Sequence, residues 1–422
     1  MSELLSPAGT LTMLNAAINF GADAIYAGQP RYSLRVRNNE FNDLQKLKTA
    51  IDTTHLHNKK IYIVTNLLPH NAKLKTFPED IQKIVDLQPD ALIMSDVGLI
   101  DFVRNKYPEM PIHLSVQANT TNYAAVKFWQ KLGLQRIILS RELSLDEIAE
   151  IRQQCPDIEL EVFIHGALCI AYSGRCLMSG YFNHRDANQG TCTNACRWEY
   201  KVAAEKNQPI NFYVKEPNRP QDLMPIEEDE HGTYLFNSKD LRGLEHVETL
   251  LKIGVDSFKI EGRTKSAYYV ARTTQVYRQA IDDFKNGRTF DYKNLSVLEN
   301  LANRGYTDGF FQRHHDADYQ NYLQGHSTAQ KSQYVADVGD FDNQNKRLHL
   351  IAKNHFEVGD TLEFITPEGN FEMQLTENSM FNKKGENVSQ AKGIGHQVWI
   401  NFDTEKFALT IKDAFVAKIF KK

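Results

Sequence analysis

The sequence predicts an α/β protein with a TIM-like (β/α)8 barrel and a small C-terminal β-barrel domain. Up to about residue 265, eight short aliphatic or β-branched runs alternate with stretches that are typical of amphipathic helices. Eight successive βα units imply a closed parallel barrel. From about residue 332 polar and apolar residues alternate between turn signals, which indicates antiparallel strands. We therefore expect two domains, residues 1–330 and residues 331–422.

The eight predicted barrel strands are short runs rich in Ile, Leu, Val, Ala and Tyr. In chain order they are 3–5, 24–27, 60–64, 91–94, 112–116, 136–139, 160–164 and 257–260. A doubly wound fold would carry a glycine-rich phosphate loop after its first strand. Here Ser6-Pro7-Ala8-Gly9 does not match G-x-G-x-x-G, so the barrel is preferred.

Amphipathic helices are predicted between the strands. Most begin near a residue that can cap a helix N-terminus, such as Thr10, Asn122 or Ser144. The predicted stretches are 10–20, 41–57, 122–132 and 144–154, and a longer one at 265–285 follows the last strand.

Polar residues follow most of the predicted strands, and in a barrel these positions meet at one face. They are Ser6, Gln29, Arg31, Asn66, Ser95, Asp96, Gln117, Asn119, Ser140, Arg141, His165, Glu261 and Arg263. Their recurrence at the same end of successive units predicts a functional site at the barrel mouth. His165, Asp96 and Glu261 are the candidate catalytic residues because their side chains can transfer protons.

Arginines are concentrated after the second predicted strand, where Arg31, Arg35 and Arg37 fall within seven residues. Guanidinium groups can bind carboxylates or phosphates through two hydrogen bonds at once. We therefore expect an anion site. The candidate substrate-binding residues are Arg31, Arg35, Arg37, Asn66, Gln117, Arg141, Lys259 and Arg263.

Four of the five cysteines lie within 28 positions, with the spacing C-x6-C-x15-C-x3-C. They are Cys169, Cys176, Cys192 and Cys196. Iron–sulfur clusters take four thiolates at varied spacings, whereas structural zinc sites usually use C-x2–4-C pairs, which only the last interval matches. The spacing favours a cluster, with zinc, redox-active thiols or inert thiols as alternatives. Cys155 precedes a proline at a predicted helix end and is expected to be structural.

The overall composition indicates a soluble, cytoplasmic protein. The formal net charge is -4, so any nucleic acid must be bound by a local basic patch. The chain starts without a charged-then-apolar leader, and no run approaches the roughly 18 apolar residues of a membrane span, so neither disulfides nor a membrane partner is expected.

An insertion is predicted at residues 201–232, between the cysteine loop (169–196) and the eighth strand. It contains four prolines and ends in Glu227-Glu228-Asp229-Glu230. It is interpreted either as a cover over the site or as a solvated excursion without function.

Several motifs resemble a known family. The segment from Glu161 to Ser179, with Gly166-Ala167-Leu168-Cys169 and Gly174-x-Cys176-x-Met178-Ser179, resembles the signature of the collagenase-like peptidases of family U32. The chain is more similar still to the branch that forms 5-hydroxyuridine in tRNA. That similarity lies in segments 28–41, 113–119, 188–198, 237–241 and 259–266, so it spans nearly the whole chain.

The resemblance implies a prephenate-dependent, oxygen-independent hydroxylation of the wobble uridine of tRNA, by an enzyme that depends on the iron–sulfur assembly machinery. Related members that hydroxylate quinone precursors hold a [4Fe–4S] cluster with four cysteines. By motif, Cys169 and Cys176 match these ligands, and Cys192 and Cys196 complete the set although later ligand positions vary between branches. The implied partners are prephenate and the anticodon region of tRNA.

Prephenate carries two carboxylates, which the arginines would bind while a basic rim presents a flipped uridine. One alternative is a collagenase-like peptidase, as the family name suggests, although the sequence contains neither G-x-S-x-G nor H-E-x-x-H. The other alternative is a protein that binds tRNA without catalysis.

Overall fold

The computed structural model describes most of both predicted domains. The described residues are 2–34, 39–169, 171–173, 175–176, 192–193, 212–215, 223–229, 232–234, 239–303, 305–312, 332–403, 411 and 413–420. Arg35, Arg37 and Cys196 lie outside them, as does most of the predicted insertion at 201–232.

Eight parallel strands close into a barrel, which confirms the predicted fold class. They are β1 (Glu3–Ala8), β2 (Ala24–Gly28), β3 (Lys60–Val64), β4 (Ala91–Met94), β5 (Ile112–Leu114), β6 (Arg136–Ile138), β7 (Glu159–Ala167) and, after four intervening strands, β12 (Ser257–Ile260). Each strand pairs with the next, and β12 pairs with both β7 and β1, so the sheet closes.

Several strand ends differ from the prediction, as β1 does by continuing to Ala8 instead of ending at residue 5, and the structure gives the cause of two of these differences. β5 ends at Leu114 instead of residue 116, because the Ser115 side chain accepts a hydrogen bond from Gln117 N and starts a 3-10 turn, Val116–Ala118. β7 continues to Ala167 because β11 (Asp240–Arg242) pairs with it in antiparallel orientation.

Helices surround the barrel, and five of those described coincide with the predicted stretches 10–20, 41–57, 122–132, 144–154 and 265–285. The described α-helices are α1 (Leu11–Asn19), α2 (Leu44–Leu56), α3 (Asn71–Leu74), α4 (Phe77–Val85), α5 (Val97–Lys106), α6 (Tyr123–Lys131), α7 (Leu145–Gln154), α8 (Val247–Ile253), α9 (Ala267–Lys285) and α10 (Lys293–Glu299). The predicted caps are confirmed: Thr10 accepts from Met13 N, Asn122 accepts from Ala125 N, and Ser144 forms a capping box with Glu147.

The described part of the insertion contains three antiparallel strands, β8 (Phe212–Lys215), β9 (Leu223–Asp229) and β10 (Gly232–Tyr234). A further short strand, β13 (Tyr306–Thr307), pairs with β11 beside the barrel. No helix among the described residues is long and apolar enough to cross a membrane.

The C-terminal domain is an antiparallel sheet with its own apolar core. Its strands are β14 (Ser332–Asp342), β15 (Arg347–Ala352), β16 (Phe356–Glu357), β17 (Thr361–Thr366), β18 (Gly369–Gln374), β19 (Met380–Phe381), β20 (Gln390–Ala391), β21 (Gln397–Asn401) and β22 (Phe415–Ile419). Seven of them form one sheet in the order β18-β17-β22-β14-β15-β21-β19. Tyr334 stacks on Tyr268 of α9, and Phe415 packs against Phe20, so this sheet contacts the barrel domain.

Candidate functional site

The barrel interior contains a buried network of charged side chains. Arg136 Nη1 lies 2.6 Å from Glu3 Oε1 and 3.2 Å from Glu161 Oε2. Lys259 Nζ lies 2.7 Å from the other Glu161 oxygen. Two cations and two carboxylates therefore neutralise one another, as buried charges must. Lys259 is the member of this network that lies nearest the barrel mouth, between the rings of Tyr26 and Phe163.

The Lys259 ammonium lies in an almost dry environment. Its Nζ is 4.4 Å from the Tyr26 ring centroid and 5.5 Å from that of Phe163. Burial lowers the pKa of Lys259, and the attraction of Glu161 opposes this change only in part. Lys259 is therefore a cation that a ligand at the mouth would meet without intervening solvent.

Arg141 lies above the same ring. Its guanidinium is 3.8 Å from the Phe163 ring centroid, and its Nη1 donates to Ala167 O at 2.8 Å. Nη2 is 4.0 Å from Glu261 Oε2, and Nε is buried with no hydrogen-bond partner among the described residues. The guanidinium is thus only partly satisfied by the protein.

Arg263 is held in place by a close approach of β2. Its Nη1 donates to Ser33 Oγ at 2.8 Å, and its guanidinium lies 5.4 Å from the Tyr26 ring centroid. A Cβ atom at Gly28 would lie 2.6 Å from Ser33 Oγ and 2.7 Å from Arg263 Nη1, so an alanine here would displace one of these two side chains.

Asn66 supports the neighbouring loops rather than presenting an open amide. Its Nδ2 donates to Ser115 Oγ at 2.9 Å, and its Oδ1 accepts from Leu34 N at 3.3 Å. Gln117 lies two residues after Ser115, and its buried Oε1 has no hydrogen-bond partner among the described residues. Of this pair, Gln117 retains hydrogen-bonding capacity for a ligand.

The three catalytic candidates occupy different environments. Glu261 is 8 % exposed, and its Oε2 is 3.4 Å from the Tyr26 hydroxyl, inside the mouth. Asp96 instead accepts a hydrogen bond from Leu99 N and caps α5. His165 is a residue of β7, and its side chain contacts Tyr277 of α9 and is 1 % exposed.

The surroundings of His165 fix its protonation. Tyr277 Oη donates to Ile164 O, so His165 Nδ1, which is 3.2 Å away, must donate its proton to Tyr277. Burial lowers the pKa of His165 to about 3, so the ring is neutral near pH 7. The rings of Tyr269 and Tyr306 complete this buried pocket.

Besides Asp96 and His165, two further predicted polar residues point away from the mouth. Arg31 is exposed, and its guanidinium contacts Thr76 Oγ1 at 2.8 Å and Asp80 Oδ2 at 3.2 Å, at the start of α4. Ser6 bonds Thr274 of α9 at 2.8 Å. Arg35 and Arg37 lie outside the described residues; among the residues that are described, Arg141, Arg263, Lys259 and Glu261 lie at the mouth.

The cysteine loop begins directly after β7. Cys169 is exposed, Cys176 and Cys192 are half-buried, and none of the three forms a disulfide bond with a described cysteine. These thiols fit a thiolate-bound centre in donor type. Within the described residues, no three His, Cys, Asp or Glu side chains form a group that could hold a metal ion. Cys196, the fourth predicted ligand, lies outside the described residues. Cys155 is buried, as expected.

Sequence reasoning missed the aromatic and acidic partners of the mouth. Tyr26, Phe163 and Glu161 lie within strands, whereas the predicted site residues are those that follow strands. A prediction from strand ends therefore places these three positions in the core. Period-two alternation identifies them, because Glu161, Phe163 and the bulged end of β7 place alternate side chains inside the barrel.

Comparison with known proteins gives matches over nearly the whole chain. The model of peptidase family U32 matches residues 9–321, and that of the peptidase family U32 C-terminal domain matches residues 330–410. The chain is 56 % identical over 427 aligned positions to tRNA hydroxylation protein P of Escherichia coli, covering 94 % of this chain and 93 % of that protein.

Two further relatives extend the comparison. The chain is 53 % identical over 429 aligned positions to tRNA hydroxylation protein P of Haemophilus influenzae, covering 94 % of this chain and 93 % of that protein. It is also 32 % identical over 318 positions to a 23S rRNA 5-hydroxycytidine synthase of Escherichia coli, covering 73 % of this chain and 45 % of that protein.

Proposed function

The chain belongs to peptidase family U32, and on that premise we propose that it is an RNA-modifying enzyme that hydroxylates tRNA. In full, the proposed reaction is prephenate-dependent, oxygen-independent conversion of the wobble uridine to 5-hydroxyuridine in the cytoplasm. The names of the relatives support hydroxylation of tRNA. The wobble position, the co-substrate and the cofactor come from the motif resemblance and from the chemistry of the mouth.

The observation that carries the proposal is a group of three cations, Lys259, Arg141 and Arg263, at the barrel mouth. Lys259 is paired with Glu161, Arg141 Nη2 lies 4.0 Å from Glu261 Oε2, and Arg263 Nη1 donates to Ser33 Oγ. Charged groups at a dry site interact strongly with an incoming counter-ion. A small molecule with two carboxylates would therefore bind here, with Arg141 and Arg263 as its main partners.

The cysteine loop beside the mouth is the proposed site of a [4Fe–4S] cluster, held by Cys169, Cys176, Cys192 and Cys196. When bound, such a cluster supplies one-electron chemistry next to the substrate. The protein residues have separate tasks: the arginines orient the carboxylates, and Glu261 can hold or release a proton. His165 is neutral and buried, so its task is to orient β7 against Tyr277.

An RNA strand would meet local cations and one exposed ring around the mouth. Lys75 and Arg175 are exposed, and they follow β3 and β7 respectively. Tyr172 is 51 % exposed on the cysteine loop. Unstacked bases commonly stack on such rings, and phosphates bind such cations, so a flipped uridine can be received here despite the net charge of -4.

The test is nucleoside mass spectrometry of tRNA from a strain that lacks the gene and is complemented with variants. Wild type should restore 5-hydroxyuridine. Arg263→Ala should reduce it by at least about tenfold, because a hydrogen bond to a charged group contributes about 1.5–3 kcal/mol. Lys48→Ala, which removes an exposed cation paired with Asp52 on α2, is the matched control and should restore it fully.

Two results would contradict the proposal. One is a 5-hydroxyuridine content that does not differ between the deletion strain and the complemented strain. The other is cleavage of denatured collagen by the purified protein without any effect on tRNA, which would favour the peptidase alternative. Iron and sulfide analysis of anaerobically purified protein tests the cluster separately from the product.

A further inference from the structure

Two side chains of the barrel bind backbone carbonyls on either side of Cys169, one at the end of β7 and one within the cysteine loop. Arg141 Nη1 donates to Ala167 O at 2.8 Å, two residues before Cys169. Asn119 Nδ2 donates to Ser173 O at 3.2 Å, three residues before Cys176. The two donors come from the segments that follow β6 and β5, so neighbouring units of the barrel hold the loop at both sides of Cys169.

The two holding segments are themselves joined. Ser140 N, next to Arg141, donates to Thr120 O, next to Asn119, at 3.0 Å. Arg141 and Asn119 therefore form one frame at the mouth. Removing either side-chain donor would remove one of these two contacts, while the backbone hydrogen bond from Ser140 N to Thr120 O would remain.

Asn119 has a backbone conformation that suits this task. Its φ of 52° and ψ of 53° lie in the left-handed region, which asparagine tolerates better than most residues. Its backbone N–H bonds Val116 O, and its Nδ2 also donates to Gln117 O at 2.9 Å. The amide is thus fixed in orientation, with one donor used within its own turn and one directed at the cysteine loop.

The other end of the same amide is unused. Asn119 Oδ1 is buried and has no hydrogen-bond partner among the described residues. An unpaired buried acceptor costs about 1–3 kcal/mol. The amide of Asn119 therefore uses only its donor, and it directs that donor at Gln117 O and Ser173 O.

We propose that Asn119 is a positioning residue that holds the cysteine loop at the barrel mouth and so controls the exposure of Cys176. The part of this proposal that concerns cluster binding rests on the proposed function. The part that concerns loop position does not, because it involves only contacts within the protein. Asn119 is expected to act on the cysteines through Ser173 and not to touch the reacting atoms.

The first experiment measures alkylation of individual thiols by iodoacetamide in the full-length, metal-free chain. Asn119→Gly keeps the left-handed backbone and removes the donor, and Asn119→Asp keeps the shape while replacing Nδ2 with an acceptor. Both should raise the alkylation rate of Cys176 by about two- to tenfold, the factor expected for one lost hydrogen bond. The already exposed Cys169 should change less, and the buried Cys155 should stay slow, which shows that the chain remains folded.

The matched control is Asn58→Gly. Asn58 also has a left-handed backbone, with φ of 55°, but it is exposed between α2 and β3 at the opposite end of the barrel. This variant should leave the Cys176 rate unchanged. Equal Cys176 rates in wild type and Asn119→Gly would overturn the proposal that Asn119 holds the loop.

The second experiment measures iron retention after anaerobic reconstitution, as the rate of iron loss to a chelator. Asn119→Gly and Asn119→Asp should lose iron faster than wild type and Asn58→Gly. Faster alkylation with unchanged iron loss would overturn the cluster part of the inference alone. A wild-type chain that takes up no iron would instead contradict the cluster in the proposed function, while the alkylation rates would still decide the position of the loop.

Discussion

At the scale of single residues, the site depends on small changes in space and protonation around a few side chains. Arg263 can approach Ser33 only because position 28 has no Cβ, and His165 is neutral only because it is enclosed by tyrosines. Residue type alone predicts that an arginine or a histidine is present. It does not predict whether that side chain is charged or where it points, because both depend on packing from distant segments.

Gly28→Ala should displace Arg263 and lower activity without changing the chemistry of any polar side chain. The added methyl group would lie 2.6 Å from Ser33 Oγ and 2.7 Å from Arg263 Nη1, so one of them must move. We expect a loss of stability of about 1–3 kcal/mol in urea unfolding, together with a reduced 5-hydroxyuridine content of tRNA. Gly98→Ala in the first turn of α5 is the control and should be neutral or stabilising, because its Cβ would have room.

His165→Asn should weaken the dependence of the free energy of unfolding on pH below about pH 6.5. The His165 pKa is about 3 in the folded protein and about 6.5 when unfolded, so below pH 6.5 the unfolded state binds more protons. The contribution of the neutral ring is thus complete above about pH 6.5 and decreases as the pH falls toward 3. Urea titrations of both proteins from pH 7.5 to 4.5 measure this. An equal slope in wild type and variant would show that His165 is not buried as a neutral ring.

At the scale of elements, the barrel strands contain charged residues as well as the aliphatic residues that identify them. The aliphatic runs predicted the eight strands, and the helix caps confirmed where the predicted helices begin. Glu3, Arg136, Glu161 and Lys259 belong to the same strands but point into the barrel, where they form the charged network below the mouth. The pairing of Glu161 with Lys259 depends on the register between β7 and β12, which lie almost 100 residues apart in the chain.

Removing either partner of the Glu161–Lys259 pair should destabilise the barrel strongly. Glu161→Gln and Lys259→Met each leave a buried charge uncompensated, which costs about 3–5 kcal/mol. The double variant should be less destabilised than the sum of the two, because neither charge then remains unpaired. Glu159→Gln is the control, since Glu159 contacts Arg136 with a half-exposed side chain and should cost at most about 1 kcal/mol. Additive losses in urea unfolding would contradict the pairing.

At the scale of the whole molecule, local patterns predicted the order of elements well and the site only in part. The barrel, the appended β domain and the mouth-facing Arg141, Lys259, Glu261 and Arg263 follow from periodicity and from the rule that barrel sites form at strand ends. Arg31 and Ser6 obey the same rule by position, yet they face α4 and α9. Ser6 lies within β1, where a one-residue step turns a side chain from the interior to the helix layer, and Arg31 lies in the loop after β2, where it is held by Asp80. The interface between the domains could not be predicted from the sequence, because its aromatic residues resemble core residues of either domain.

That interface leads to a prediction about cooperativity. Phe415 of β22 is 7 % exposed and lies about 6 Å from the rings of Phe20, Tyr268 and Tyr334, so it belongs to the barrel core although it is part of the C-terminal sheet. Wild type should therefore unfold in one transition. Phe415→Ala should cost about 3–5 kcal/mol and separate the transition into two, because it removes apolar contact from both domains at once. Phe420→Ala, at a ring that is 44 % exposed, should leave a single transition. Two transitions in wild-type calorimetry would mean that the domains are stable independently of this contact.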